Sequence, residues 1–171
     1  KIMTNEYFVI PKKSALATDV ALNEMKIIGK PDKMDCSAYI SIPFCPTRCA
    51  YCSFVSYSSR KLLNLIPDYL ERLRAELVTM FGTIRRLGLR LRTVYIGGGT
   101  PTILTSDQLD TLLGTVAENC DVSALEEYTL EAGRPDTITA EKLEVATRHG
   151  VNRISVNPQT LNNDILAAIG R

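Results

Sequence analysis

Residues 39–54 read YISIPFCPTRCAYCSF. The first six residues have the apolar, β-branched and aromatic character of a buried strand. A short loop follows at once and carries Cys45, Cys49 and Cys52. The spacing leaves three residues and then two between the thiols. Three thiolates can hold three corners of a four-iron, four-sulfur cube, whereas a full set of four gives a closed electron-transfer centre. An open metal position is what separates a catalytic site from a structural one.

Outward from that stretch, the strand-then-loop pattern repeats. Residues 92–96 form a second apolar run that ends in Gly97-Gly98-Gly99. Residues 128–131 read as a third strand and residues 153–157 as a fourth. Helical patterns separate them. Pro67 is placed to start a long helix with Leu70, Leu73, Leu77, Met80, Ile84 and Leu87 on one stripe and Gly88 at its end. Thr105-Ser106-Asp107-Gln108 has the form of a capping box and opens a helix bearing Leu109, Leu112, Leu113 and Val116. Thr139 caps a helix with Leu143 and Ala146 inside and Gly150 at its end, and Asn162 or Asn163 opens a fourth. A β-α-β-α-β-α-β order without hairpin signals predicts parallel strands with helical crossovers, an α/β fold. Barrel and open sheet both remain open on this pattern; a closed eight-unit barrel typically takes about 250 residues, so four units would be half of one.

Ahead of this core, residues 7–10 are apolar and residues 13–28 have helix-period apolar positions at Leu16, Val20, Met25 and Ile28, closed by Gly29 and Pro31. Residues 30–37 read as a polar linker. The expected division is therefore a lead-in helix and linker over 1–37 and a core over 38–171. The chain starts at Lys1 and stops at Arg171 within an apparent helix, which reads as a piece of a longer protein.

Of the 171 residues, 45% are hydrophobic and the net charge is +1, so nothing advertises a nucleic-acid or anionic-membrane partner. No secretory signal and no long apolar run stands out. Five cysteines, three of them within eight residues, argue against a secreted disulfide framework and for a reducing compartment, hence the cytoplasm.

The unusual residues all follow strands: the cysteines, the glycines, Glu131 at the end of the third strand and Gln159 after the fourth. Parallel α/β folds place their sites at this carboxyl edge. Glycines there let the backbone approach a ligand. A carboxylate ending an apolar strand is costly unless it is paired. Zinc is the alternative occupant of the thiols, but zinc wants a fourth ligand. The single histidine, His149, falls at the far end of a helix, and Cys36 and Cys120 read as small apolar residues.

CPTRCAYC together with GGGTPT resembles the radical S-adenosylmethionine (radical SAM) enzymes. YISIPFC, EAGRPDT and NPQTLN narrow the resemblance to the oxygen-independent coproporphyrinogen III oxidase (coproporphyrinogen dehydrogenase) group and its HemZ-like branch, over about residues 39–171. The resemblance implies a partial (β/α) TIM-type barrel of which this chain supplies about the first four units. It implies a [4Fe–4S] cluster on Cys45, Cys49 and Cys52, with SAM on the open iron. In the family an electron from the cluster cleaves SAM to methionine and a 5′-deoxyadenosyl radical, which takes a hydrogen atom from the substrate. Ile42, Phe44 and Phe54 then suit a shielded cluster. Tyr39, Tyr51, Gly98, Gly99, Thr100 and Glu131 match SAM-contacting positions. Gln159 and Arg171, twelve residues apart as in the family's pattern, join Gly99 and Thr100 around a second SAM. Arg134 and Asp136 read as a surface pair.

The implied reaction belongs to haem biosynthesis: oxidative decarboxylation of a tetrapyrrole, coproporphyrinogen III, to protoporphyrinogen IX. The implied partner is a reducing electron donor such as flavodoxin or ferredoxin. The chain departs from many oxidases by Ser41, where they have histidine, and by Phe54, where they have a further cysteine. Its Cys-Ser-Phe ending is that of the related haem chaperones. A radical SAM enzyme acting on another substrate is a further alternative.

Overall fold

The structure, a computed structural model, describes residues 1–28 and 32–171. These residues form two compact units, Lys1–Lys33 and Met34–Arg171. The first holds a short helix α1 (Ile2–Asn5) and a long one, α2 (Pro11–Ile28). Helix α2 begins two residues before the apolar periodicity. Pro11 supplies the φ that suits a first helical position. The expected stop at Gly29 and Pro31 lies outside the described residues.

The second unit is built on four strands, β1 (Asp35–Ile42), β2 (Arg90–Gly98), β3 (Glu127–Ala132) and β4 (Arg153–Val156). All neighbours pair in parallel and their spatial order is their chain order. Between them lie α3 (Arg60–Leu63), α4 (Ile66–Arg86), α5 (Ser106–Asn119) and α6 (Ala140–Arg148), and α7 (Asn163–Ala168) follows β4.

Strand β1 corrects the sequence reading, which began it at residue 39 and placed a linker over 30–37. It starts at Asp35 and ends at Ile42. Its polar start is held by charge: Arg90 Nε donates to Asp35 Oδ1 at 2.5 Å and Arg92 Nη1 to Oδ2 at 3.2 Å. Arg92 also donates twice to Glu126, at 2.7 and 2.5 Å. The hydrogen bond from Arg90, ahead of the other causes, holds the Asp35 carboxyl below its usual range.

Alternation sorts the sheet into two faces. Ala38, Ile40 and Ile42, Val94 and Ile96, and Tyr128, Leu130 and Ala132 are all buried. Most of them join one core with Leu73, Leu77 and Phe81 of α4, Leu109, Leu112, Leu113 and Val116 of α5, and Val145 and Ala146 of α6. The opposite face carries Tyr39 and Ser41, Tyr95, Thr129 and Glu131, and Arg153 and Ser155. A doubly wound sheet buries both faces under helices and reads as apolar on both. A sheet with its helical core on one face and polar side chains on the other is an arc of a (β/α) barrel.

The helices mostly match their sequence signals. Pro67 sits in the first turn of α4, and Gly88 just past its end has φ 65°. Thr105 and Gln108 complete a reciprocal capping box on α5. Asn162 caps α7. Two apolar positions were misassigned. Leu87 is the C-cap of α4 and stands exposed, and in α6 Val145 rather than Leu143 is buried. Phe81, absent from the expected stripe, fills the space between α4 and the sheet.

Leu130 is fully buried in β3, which pairs on both sides. Leu130→Ala is expected to destabilise the protein by about 3 kcal/mol, within the range for buried leucine truncations. Urea unfolding of the two proteins measures this.

Candidate functional site

Four loops leave the carboxyl ends of the four strands and meet around a cavity of about 130 Å³. Cys45, Cys49, Cys52 and Tyr51 come from the loop after β1, and Gly98, Gly99 and Thr100 from that after β2. Glu131 stands at the end of β3, Gln159 follows β4, and Arg171 follows α7. Thus every candidate from the sequence lines this cavity except Tyr39. Tyr39 lies on the polar face of β1, where its ring stacks on Tyr95 at 5.6 Å.

The cysteine loop is closed at its base. Tyr57 N donates to Pro43 O at 2.8 Å and Cys45 N to Tyr57 O at 3.0 Å. Cys52 N donates to Cys49 O at 3.0 Å, a turn that brings the second and third thiols to one side. Ile42 and Phe44 are buried below. Phe54 lines the cavity but is 67% exposed, so of the three residues expected to shield the thiols two are buried and one is open to solvent.

The glycine loop packs directly on this base. Gly99 N donates to Ile42 O at 2.9 Å and Thr100 N to Phe44 O at 2.8 Å. Thr100 is buried, and its hydroxyl lies 3.3 Å from Cys45 Sγ. A Cβ on Gly99 would stand 2.6 Å from Phe44 O and 3.0 Å from Cys45 Sγ. Gly98 has φ 112°, a conformation that glycine adopts without penalty.

Glu131 is half-buried. Burial raises its pKa, opposed by hydrogen bonds from the Gly98 backbone N–H and the Tyr95 hydroxyl. A Cβ on Gly97 would come within 2.6 Å of the Tyr95 ring and 2.9 Å of both Glu131 Oε2 and Tyr39 Oη. The carboxylate is therefore held at the mouth of the barrel arc by partners that favour its charged form.

The turn after α7 packs on the cysteine loop. Ala50 N donates to Ile169 O at 3.0 Å, and Thr47 Oγ1 to Gly170 O at 2.8 Å. Arg171 donates to Tyr51 Oη at 3.0 Å and to Gly133 O. Gln159 sits in the left-handed region at φ 66°, in the loop after β4.

Arg134 corrects the expected surface pair. It does bind Asp136, through Nε at 3.0 Å and Nη2 at 2.8 Å, but it is only 5% exposed. Its remaining arm, Nη1, donates to Thr47 Oγ1 at 2.5 Å, inside the cysteine loop. Thr47, Gly133, Arg134 and Asn157 line the cavity and were missed as site residues. Thr47 could have been noticed from its place between two cysteines; the inward turn at Gly133-Arg134 leaves no mark in the sequence.

Among the described residues, no three histidine, cysteine, aspartate or glutamate side chains converge as ligands of a single ion. The three thiols instead border one cavity, each offering a separate ligand. That donor set suits a cluster, in which each thiolate serves its own iron, better than zinc, which needs its ligands around one point. Cys36 lies within β1 and Cys120 caps α5, both away from the cavity. Burial pushes the Cys120 thiol up to about 11.

The radical SAM superfamily model matches residues 39–171, from within β1 through all four loops. The chain belongs to the radical SAM superfamily. It is 37% identical over 99% of its length to the oxygen-independent coproporphyrinogen-III oxidase-like protein HemZ of Bacillus subtilis, covering 34% of that protein. It is 43% identical over 79% of its length to the haem chaperone HemW of Lactococcus lactis, covering 33% of it. Among solved structures it is similar to coproporphyrinogen III oxidase (HemN) of Escherichia coli, a radical SAM enzyme. That match has a TM-score of 0.68 and 28% identity over 79% of this chain and 30% of the other. The chain thus spans about a third of the length of these relatives. The superfamily implies SAM and a [4Fe–4S] cluster, for which the three bordering thiols are a fitting donor set. Among the described residues, no helix of this radical SAM chain is long and apolar enough to cross a membrane.

Proposed function

We propose that this chain is the cluster- and SAM-binding part of a radical SAM enzyme that oxidatively decarboxylates two propionates of coproporphyrinogen III to vinyl groups without oxygen. The observation that carries the reading is the meeting of the three thiols, the glycine turn, Glu131, Gln159 and Arg171 around one cavity. The match to HemZ along essentially the whole chain, residues before the arc included, supports the oxidase branch.

Cys45, Cys49 and Cys52 would each ligate one iron. When bound, the cluster and SAM supply a one-electron cleavage chemistry that yields an oxidant for unactivated C–H bonds. The chain's own residues bind and enclose. The backbone of Gly98 and Gly99 offers close approach without a side chain in the way. Glu131 presents a carboxylate already fixed by Gly98 N–H and Tyr95, suited to a cationic or hydroxyl-bearing part of SAM. Gln159 and Arg171 border the same cavity and suit a carboxylate, of a second SAM or of the first. Ile42 and Phe44 exclude water from below. A reducing protein such as flavodoxin or ferredoxin would supply the electron.

A second reading, a haem chaperone, is favoured by Phe54 in place of a further cysteine and by the 43% identity to HemW. One anaerobic experiment separates them. Reconstituted full-length protein, given dithionite, SAM and coproporphyrinogen III, is expected to cleave SAM and release two carbon dioxide molecules per tetrapyrrole. Stoichiometric haem binding with no carbon dioxide release would select the chaperone. SAM cleavage with neither outcome would leave a radical SAM enzyme of another substrate.

A further inference from the structure

Arg134 is a buried cation whose charge the site does not otherwise explain. Its side chain is 7% exposed, whereas its partner Asp136 is 58% exposed. Desolvating a guanidinium is costly, and one half-solvated carboxylate offsets the cost only in part. The guanidinium's third arm goes to the hydroxyl of Thr47, between the first two cysteines, and that hydroxyl in turn donates to Gly170 O. Asp136, Arg134, Thr47 and Gly170 thus form a single chain of bonds from the loop after β3, through the cysteine loop, to the turn after α7. Arg134 and all three thiols border the same cavity. The guanidinium is held above its ordinary value by Asp136 first, with Cys49 and Cys45 adding to it.

We infer that Arg134 is a positioning residue that also serves as the fixed countercharge of the thiolate loop, setting how readily the bound cluster accepts an electron, and that Asp136 moderates that charge from the solvent side. Three thiolates in one small cavity repel one another, and a cluster that gains an electron becomes more negative. A cation fixed in a low-dielectric wall favours both states of higher negative charge. Net charge, hydrogen bonding near the sulfurs and solvent exposure are the levers on an iron–sulfur potential. The inference rests on the proposed cluster.

The test is the midpoint potential of the reconstituted full-length protein, followed by its spectroscopic signature during a reductive titration. Arg134→Gln is expected to weaken electron uptake about tenfold, a shift of about 59 mV to more negative potential for a one-electron couple. Asp136→Asn is expected to shift the midpoint the opposite way, because it leaves the guanidinium uncompensated. Arg134→Lys keeps the charge without the fork, and is expected to stay near wild type in potential while losing iron faster to a chelator. A purely structural role predicts faster iron loss in all three with no opposed shift. Unchanged midpoints in both Arg134→Gln and Asp136→Asn overturn the inference. Should Arg134→Gln fail to fold, the shift in Asp136→Asn, an exposed position, decides alone. Wild-type protein that takes up no iron and sulfide would overturn the cluster reading itself, a separable outcome.

Discussion

Cys49→Ser is expected to lose the cluster and, with it, SAM cleavage. The substitution is nearly isosteric and the residue is half-exposed, so the fold survives. Only the ligand changes, from a thiolate to a hydroxyl that does not ionise near neutral pH. Removing a partner that merely supports a metal ligand typically costs 10–100-fold in affinity or activity; removal of the ligand itself is expected to exceed about 100-fold. Iron and sulfide per chain after anaerobic reconstitution, and methionine released from SAM, measure the two losses. Cys36→Ser and Cys120→Ser are the controls. Both thiols lie outside the cavity, and both variants are expected to keep full iron content. Equal loss in all three cysteine variants would point to unfolding, and full iron in Cys49→Ser would remove the central assignment.

Gly99→Ala is the second large effect, and it acts by space instead of chemistry. The added methyl would press on Phe44 O at 2.6 Å, on Phe44 C at 2.9 Å and on Cys45 Sγ at 3.0 Å. The first two are backbone atoms at the base of the cysteine loop, tied by the Thr100 N–H bond to Phe44 O. They cannot step aside without breaking that tie. Overpacking typically costs 1–3 kcal/mol, and a clash with backbone belongs at the top of that range, about 3 kcal/mol. The expected result is a lower unfolding midpoint together with poor iron uptake. Gly82→Ala is the contrasting case. Gly82 lies inside α4 with nothing within 4 Å of a new Cβ. Alanine there is expected to raise stability by about 1 kcal/mol, since glycine is the poorer helix former by roughly that amount. Urea curves of both variants should move in opposite directions.

Much of this was legible from the residues. The strand–loop–helix rhythm located all four strands because each carries a β-branched or apolar run followed by an unusual loop. The capping box at Thr105 and Gln108 worked because its signal is local: the hydrogen bonds join residues three apart. The start of β1 was misread because Asp35 is polar by itself and becomes a strand residue only through Arg90 and Arg92, which lie over fifty residues later. Arg134 was misread for the same reason. A guanidinium two residues before an aspartate suggests a solvated pair, and its burial depends on Thr47, 87 positions away. Tyr39 was named from the family resemblance; it lies outside the cavity lining, on the same sheet face as Glu131, with its hydroxyl and the Glu131 carboxylate both flanking Gly97. Strand and helix spacing alone left barrel and open sheet undecided; the family resemblance implied the partial barrel, and the packing of α4, α5 and α6 on one side of the sheet agrees with it.

The bonds from Ala50 to Ile169 and from Thr47 to Gly170 couple the loop after β1 to the turn after α7, across a separation of 123 residues in the second case. Translation proceeds at about 5–20 residues per second. The thiols therefore leave the ribosome on the order of ten seconds before the turn that braces them. During that interval the nascent loop lacks its clasp, and the cysteine loop is braced only once α7 and the turn after it have been made.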